Sequence, residues 1–133
     1  MDEPEDLRRR VRTRLDEQRR LVRSLLEARA QLPGSLFTRY GRCGKAGCAC
    51  RRGAGHGPYY VLSQRSGGKG GFEYLDAARA REARGLVARA RTFRLGLRRL
   101  QRLNLELIDL LRRYQIAMRR RGGRRLAVTA AAS

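Results

Sequence analysis

CGKAGCACRRGAGH, residues 43 to 56, places three cysteines and the chain's one histidine within a single short loop. The spacing C-x4-C-x-C-x5-H offers three thiolates and an imidazole from Cys43, Cys48, Cys50 and His56, the donor set of a closed, structural zinc shell. Such a shell keeps no position for water, so it predicts a scaffold rather than a reacting metal. Gly44, Gly47, Gly53, Gly55 and Gly57 allow the tight turns that bring backbone amides toward the sulfurs. Arg42, Lys45, Arg51 and Arg52 offset the negative charge of the thiolates and favour their ionisation. Redox-active thiols and a mixed-ligand iron–sulfur cluster are the competing readings of the same residues. Zn2+ is the expected cofactor.

Around this loop lie three short segments with β-branched and aromatic character: SLFTRY (35 to 40), PYYVLSQ (58 to 64) and FEYL (72 to 75). The glycine-rich SGGKGG (66 to 71) joins the last two, which predicts a three-stranded antiparallel meander. So few strands bury little apolar area, and a bound metal is a common remedy at this size.

Two helical patterns flank the head. From residue 5 to 32, Leu7, Val11, Leu15, Val22, Leu25 and Leu32 recur at steps of three, four or seven, and Pro33-Gly34 stops them. A second helix starts at Asp76, a good N-cap, and runs to Arg121 before Gly122-Gly123. Its seam is Ala83, Leu86, Ala90, Phe93, Leu97, Leu100, Asn104, Leu107, Leu111, Tyr114 and Met118, a coiled-coil pattern with a polar register-setting residue. The expected fold is mainly α with a small β insert. Two long helices form an antiparallel coiled-coil hairpin, with a three-stranded zinc-binding β head at its tip.

The corresponding regions are an N-terminal helix (1–33), the zinc-binding head (34–75), a long C-terminal helix (76–121) and a flexible tail (122–133). At about 1.5 Å per residue the helices span roughly 42 and roughly 69 Å. The second therefore outruns the first, and exposed Leu107, Leu111, Tyr114 and Met118 predict a homodimer through the C-terminal helix.

The chain of 133 residues carries a net charge of +20 from 32 basic and 12 acidic side chains, which favours a polyanionic partner. Residues 34 to 75 hold seven basic groups and one acidic, and residues 76 to 133 sixteen and four. Nearly all the basic residues are Arg, a bias that partly reflects codon usage; Lys45 and Lys69 stand alone in Gly-Lys turns. The acidic start MDEPED and the lack of a long apolar run predict a cytoplasmic protein with no signal peptide and no membrane association.

The motif RYGRCGKAGCACRRGAGHGPYYVL, followed by GGKGGFEYL, resembles a functionally uncharacterised family of short basic bacterial and archaeal proteins. Its pattern is R-C-G-K-x-x-C-x-C-x-x-G-x-x-H-G-P-Y-Y. Members are often encoded near mobile-element genes, which implies a nucleic-acid role without naming an activity.

In the head, Arg39, Tyr40, Lys45, Arg51, Arg52, Tyr59, Tyr60, Arg65, Lys69, Phe72 and Tyr74 interleave cations with rings, suited to phosphates and stacked bases. Alternation puts Tyr59 and Val61 on one face of their strand and Tyr60 and Leu62 on the other, so only half can meet a ligand. The residues expected to contact nucleic acid are Arg39, Arg42, Lys45, Arg51, Arg52, Tyr59, Arg65 and Lys69, with Arg91, Arg98 and Arg102 on the long helix. GGKGG lacks the spacing and the following Ser or Thr of a phosphate loop, and the one histidine belongs to the metal, so the expectation is a non-enzyme.

The function expected is therefore a zinc-stabilised, non-catalytic nucleic-acid-binding accessory protein, with DNA favoured over RNA and a link to mobile-element DNA. The alternative is a coiled-coil oligomerisation or adaptor protein whose charge reflects genome composition.

Overall fold

The computed structural model describes residues 3–53, 55–66 and 69–129, with the backbone alone for residues 65, 66 and 69. Two helices and a three-stranded antiparallel sheet follow in the order α1 (Pro4–Leu26), β1 (Ser35–Gly41), a 3-10 turn (Ala49–Arg51), β2 (His56–Ser66), β3 (Lys69–Leu75) and α2 (Ala77–Leu126). The chain divides into two compact units. Residues 29–93 hold the sheet and the beginning of α2, and α1 joins α2 from Arg94 onward in the other.

In the sheet unit the strands pair as the expected meander, β1-β2-β3. The register continues to Ser66↔Lys69, and the turn residues 67 and 68 lie outside the described residues. Leu62 and Leu75 pack with Ala80, Ala83 and Val87 of α2, and Leu32, Leu36 and Tyr60 close around them. Small residues on α2 let the helix approach the sheet closely. Asp76 caps α2, its Oδ1 accepting the Arg79 amide at 2.8 Å.

α1 begins with Pro4, whose fixed φ suits the first helical turn, and Glu5 and Asp6 complement the dipole there. The apolar period predicts a helix to Leu32, yet α1 ends at Leu26. Leu32 serves the sheet unit instead. Its amide donates to the Leu86 carbonyl at 3.1 Å and its side chain packs on the core. Tertiary contact thus overrides a local period that fits a helix equally well.

At the other end α2 passes through Gly122-Gly123 rather than stopping at Arg121. It closes with Ala127 at φ 53, where Ala127 N–H donates to Arg124 O at 3.1 Å and Val128 N–H to Gly123 O at 2.8 Å. These two bonds form a Schellman close, so the helix ends where a left-handed residue satisfies its last carbonyls. The predicted tail is helical to Leu126, and residues 130–133 lie outside the described residues.

In the helix-pair unit the partners run in opposite order along the chain. Arg8 donates to the Tyr114 hydroxyl at 2.8 and 3.0 Å, Arg14 meets Glu106 at 2.9 Å, and Arg99 meets Glu17 at 3.1 Å. Leu7, Leu103, Leu107 and Leu110 are buried. Leu107 is a predicted seam residue, but its buried neighbours are Leu103 and Leu110 where Asn104 and Leu111 were expected. Asn104 is accordingly exposed, its Oδ1 accepting from Gln18 Nε2 at 2.6 Å.

Of the four residues expected to overhang, Leu111 is 50% exposed, while Leu107 is buried and Tyr114 is half-buried. Tyr114 accepts hydrogen bonds from Arg8 of its own chain.

Candidate metal centre

The metal loop is built by the way β1 and β2 meet. Their pairing is regular to Arg39↔Tyr59, then shifts so that Gly41 faces His56. β2 therefore starts at His56, ahead of the predicted Pro58. Gly55 and Gly57 make this close approach feasible: their φ values are 93° and 141°, and a Cβ would stand 2.7 Å from Gly41 O or 2.8 Å from Arg39 O. Only glycine takes both the conformation and the space. Beyond Gly41 the chain turns, and the 3-10 turn carries Cys50 back with its amides bonded to Cys48 O and Ala49 O.

The result is one cluster: the ligand atoms of Cys43, Cys48, Cys50 and His56 all lie within 4.8 Å of one another. Cys43 Sγ stands 3.5 Å from Cys50 Sγ, and Cys48 Sγ stands 3.3 Å from His56 Nε2. A tetrahedral ion about 2.3 Å from sulfur and about 2.1 Å from nitrogen sets its ligands about 3.8 Å (S to S) and about 3.6 Å (S to N) apart. The observed edges fit that shell. They are far from a disulfide bond of about 2.05 Å, and all three cysteines are free. The cluster can hold a metal ion.

Its electrostatics favour thiolate. His56 and then the Lys45 backbone amide hold the Cys43 thiol down to about 6. The Cys50 amide leads in lowering the Cys48 thiol. Cys50 itself accepts the Cys43 N–H at 3.3 Å, but burial and the neighbouring thiols outweigh that bond and push its thiol up. His56 is raised by Cys43 first and Cys48 next. Cys43 and Cys48 are thus shifted toward thiolate and Cys50 is held as the thiol, a proton that a bound cation would displace.

A shallow cleft of about 490 Å³ runs from the cluster to the sheet, lined by Arg39, Gly41, Arg42, Cys43, His56, Tyr59 and Tyr74. Arg39 donates to the Tyr74 hydroxyl at 3.0 Å, and Tyr59 packs edge-on against Tyr74. Three of the residues expected to contact nucleic acid, Arg39, Arg42 and Tyr59, are thus brought together beside the metal ligands. Lys45, Arg51 and Arg52 are exposed on the metal loop, outside the lining of that cleft. Arg91 lines a separate hollow with Ser35 and Thr38. Arg98 and Arg102 are exposed on α2 in the helix-pair unit. The side chains of Arg65 and Lys69 lie outside the described residues. Phe37 is the ring that sequence reading passed over; its position two residues before Arg39 puts it on the same strand face.

Residues 5–85 match the DUF6788 family, a domain of unknown function. No curated protein and no solved structure matches the chain.

Proposed function

The chain belongs to the DUF6788 family, and from that premise we propose that it is a zinc-stabilised, non-catalytic nucleic-acid-binding accessory protein. Three thiolates and one imidazole are the ligands of structural zinc, and their closed shell supports a scaffold role over chemistry at the metal. When bound, zinc supplies folding free energy to a small head with few buried residues. Cys43, Cys48, Cys50 and His56 would hold it.

The observation that carries the nucleic-acid reading is the cleft in which Arg39 and Arg42 converge with two tyrosines. The sole carboxylate of residues 34 to 75, Glu73, is engaged elsewhere, with Arg79 at 3.4 Å. Exposed Arg91, Arg98 and Arg102, with no ion-pair partner among the described residues, add sequence-independent phosphate contacts. Three free thiols suit the reducing cytoplasm. No helix among the described residues is long and apolar enough to cross a membrane. DNA is the favoured ligand, and the link to mobile-element DNA comes from the resemblance of the metal motif.

Fluorescence anisotropy with labelled duplex and single-stranded oligonucleotides, from about 50 to about 200 mM salt, tests this reading. Affinity should fall linearly in log–log form by several powers of salt concentration. No binding at the lowest salt, or binding without a salt slope, contradicts it.

A second reading is favoured by one observation: Leu97, Leu105, Ile108 and Leu111 of α2 are 44 to 67% exposed. Such a stripe suits a homodimer or adaptor contact through the C-terminal helix. Light scattering on the parent and on Ile108→Glu with Leu111→Glu decides it: a dimer made monomeric supports the contact, and a monomeric parent removes it.

A further inference from the structure

The pairing register sorts the sheet's side chains into two faces. Leu36, Tyr60, Leu62 and Leu75 turn to the core with α2. Phe37, Val61 and Tyr74 stand opposite one another across the other face, with Tyr59 and Phe72 beside them. Val61, at the centre of that outer face, is 2% exposed, while Phe37, Tyr59, Phe72 and Tyr74 remain 41, 44, 73 and 56% exposed. Four aromatic side chains on an uncovered face of a small sheet are unusual, since rings on so small a domain are normally spent on its core.

The rings are ordered in two edge-to-face pairs. Phe37 meets Phe72, and Tyr59 meets Tyr74, each with centroids 6.3 Å apart and planes at 86° and 90°. In such a pair one ring at a time can lie flat against an incoming planar group. The face therefore offers two stacking places, one per pair, separated along β3 by the two-residue step from Phe72 to Tyr74. Beside the tyrosine pair stands Arg39, anchored to the Tyr74 hydroxyl at 3.0 Å, with Arg42 in the adjoining cleft. The only carboxylate of the sheet, Glu73, pairs in register with core-facing Leu62 and so belongs to the opposite face.

We propose that the outer face of the sheet is a stacking platform for single-stranded nucleic acid, taking about two bases on the ring pairs and the neighbouring phosphates on Arg39 and Arg42. This rests on the nucleic-acid reading above and narrows it. A duplex keeps its base faces stacked inside, whereas a single strand presents them. Aromatic stacking accepts any base, because each has a π-face, and the cationic edge tracks the backbone. Charge complementarity selects this occupant: a ring-lined face with arginines and no acid suits a polyanion with exposed planar groups.

The test uses the full-length, metal-loaded protein with two probes, an oligothymidylate of about twelve nucleotides and a duplex of mixed sequence. Phe72→Ala and Tyr59→Ala should each weaken oligothymidylate binding by about five- to 150-fold, the range for one lost base stack, and leave duplex affinity within about twofold. Because Phe72 is the most exposed ring, its variant should keep the parent's metal content and circular dichroism even where Tyr59→Ala does not. Phe72→Trp supplies a single tryptophan in a chain that has none, and its emission should be quenched when oligothymidylate binds. Equal losses for both probes in folded variants, unchanged oligothymidylate affinity, or unquenched emission would each overturn the platform while leaving nucleic-acid binding intact. Failure of the parent to bind either probe is the separate failure of the underlying reading, and the platform falls with it.

Discussion

Replacing Leu103 by alanine tests the displaced face of α2. Leu103 is 1% exposed, so Leu103→Ala removes three carbons from a closed environment. Their transfer is worth about 2.4 kcal/mol at ~0.8 kcal/mol per carbon, and the residual cavity adds to it, for a total of about 3 to 4 kcal/mol. Leu111, which the strict seven-residue repeat would bury, is 50% exposed. There the same change loses about half the transfer and leaves no closed cavity, about 1 kcal/mol. Urea unfolding followed by circular dichroism, with zinc present, reads both. With a slope of about 1.5 kcal/mol per molar urea, the midpoint should drop by about 2 to 2.7 M for Leu103→Ala and by about 0.7 M for Leu111→Ala. Equal shifts, or a larger one for Leu111→Ala, would refute the displaced register and restore the seam read from the heptads.

Two further outcomes concern the metal loop. Gly55→Ala must hold φ 93° with a Cβ 2.7 Å from Gly41 O, whereas Gly44 has no neighbour within 4 Å of such a Cβ. Gly55→Ala should cost about 1 to 3 kcal/mol, or about five- to 150-fold in zinc affinity by chelator competition, while Gly44→Ala stays within about threefold; equal effects would count against the β1–β2 approach as the device that places His56. Acid provides the second. The Cys43 thiol is lowered from 9.0 to about 6 in the folded chain, so its ionised form contributes stability at high pH that is lost as pH falls through about 6. Metal binding depresses the thiol further, so release to a colorimetric chelator should begin only below about pH 6. Release already under way above pH 7 would contradict this account.

Much of the sheet unit is legible in the sequence because its signals are local. Alternation in PYYVL separates Tyr59 from Tyr60, Asp76 announces the start of α2, and the cysteine spacing brings the four ligands together without knowledge of the strands. What was not legible depends on distant partners. Leu32 fits a helical period as well as it fits the core, and only the groove beside Leu86 decides between them. Along α2 the heptads single out Leu107, which is buried, but miss Leu103 and Leu110, because a repeat along one helix does not say which face its partner covers. Gly122-Gly123 look like a stop, yet the close is made later by Ala127, a residue with no signature for it. The ring pairs of the outer face need the register between three strands, and alternation along one strand supplies only half of that.

We propose that one zinc ion, held by Cys43, Cys48, Cys50 and His56, folds the sheet unit. Native mass spectrometry, paired with circular dichroism on the parent and on Cys48→Ser, tests it most directly. One zinc per chain is expected in the parent. In Cys48→Ser the expected result is no zinc and loss of the sheet signal, with much of the helical signal kept. A Cys48→Ser protein that is metal-free and retains the complete sheet would contradict it.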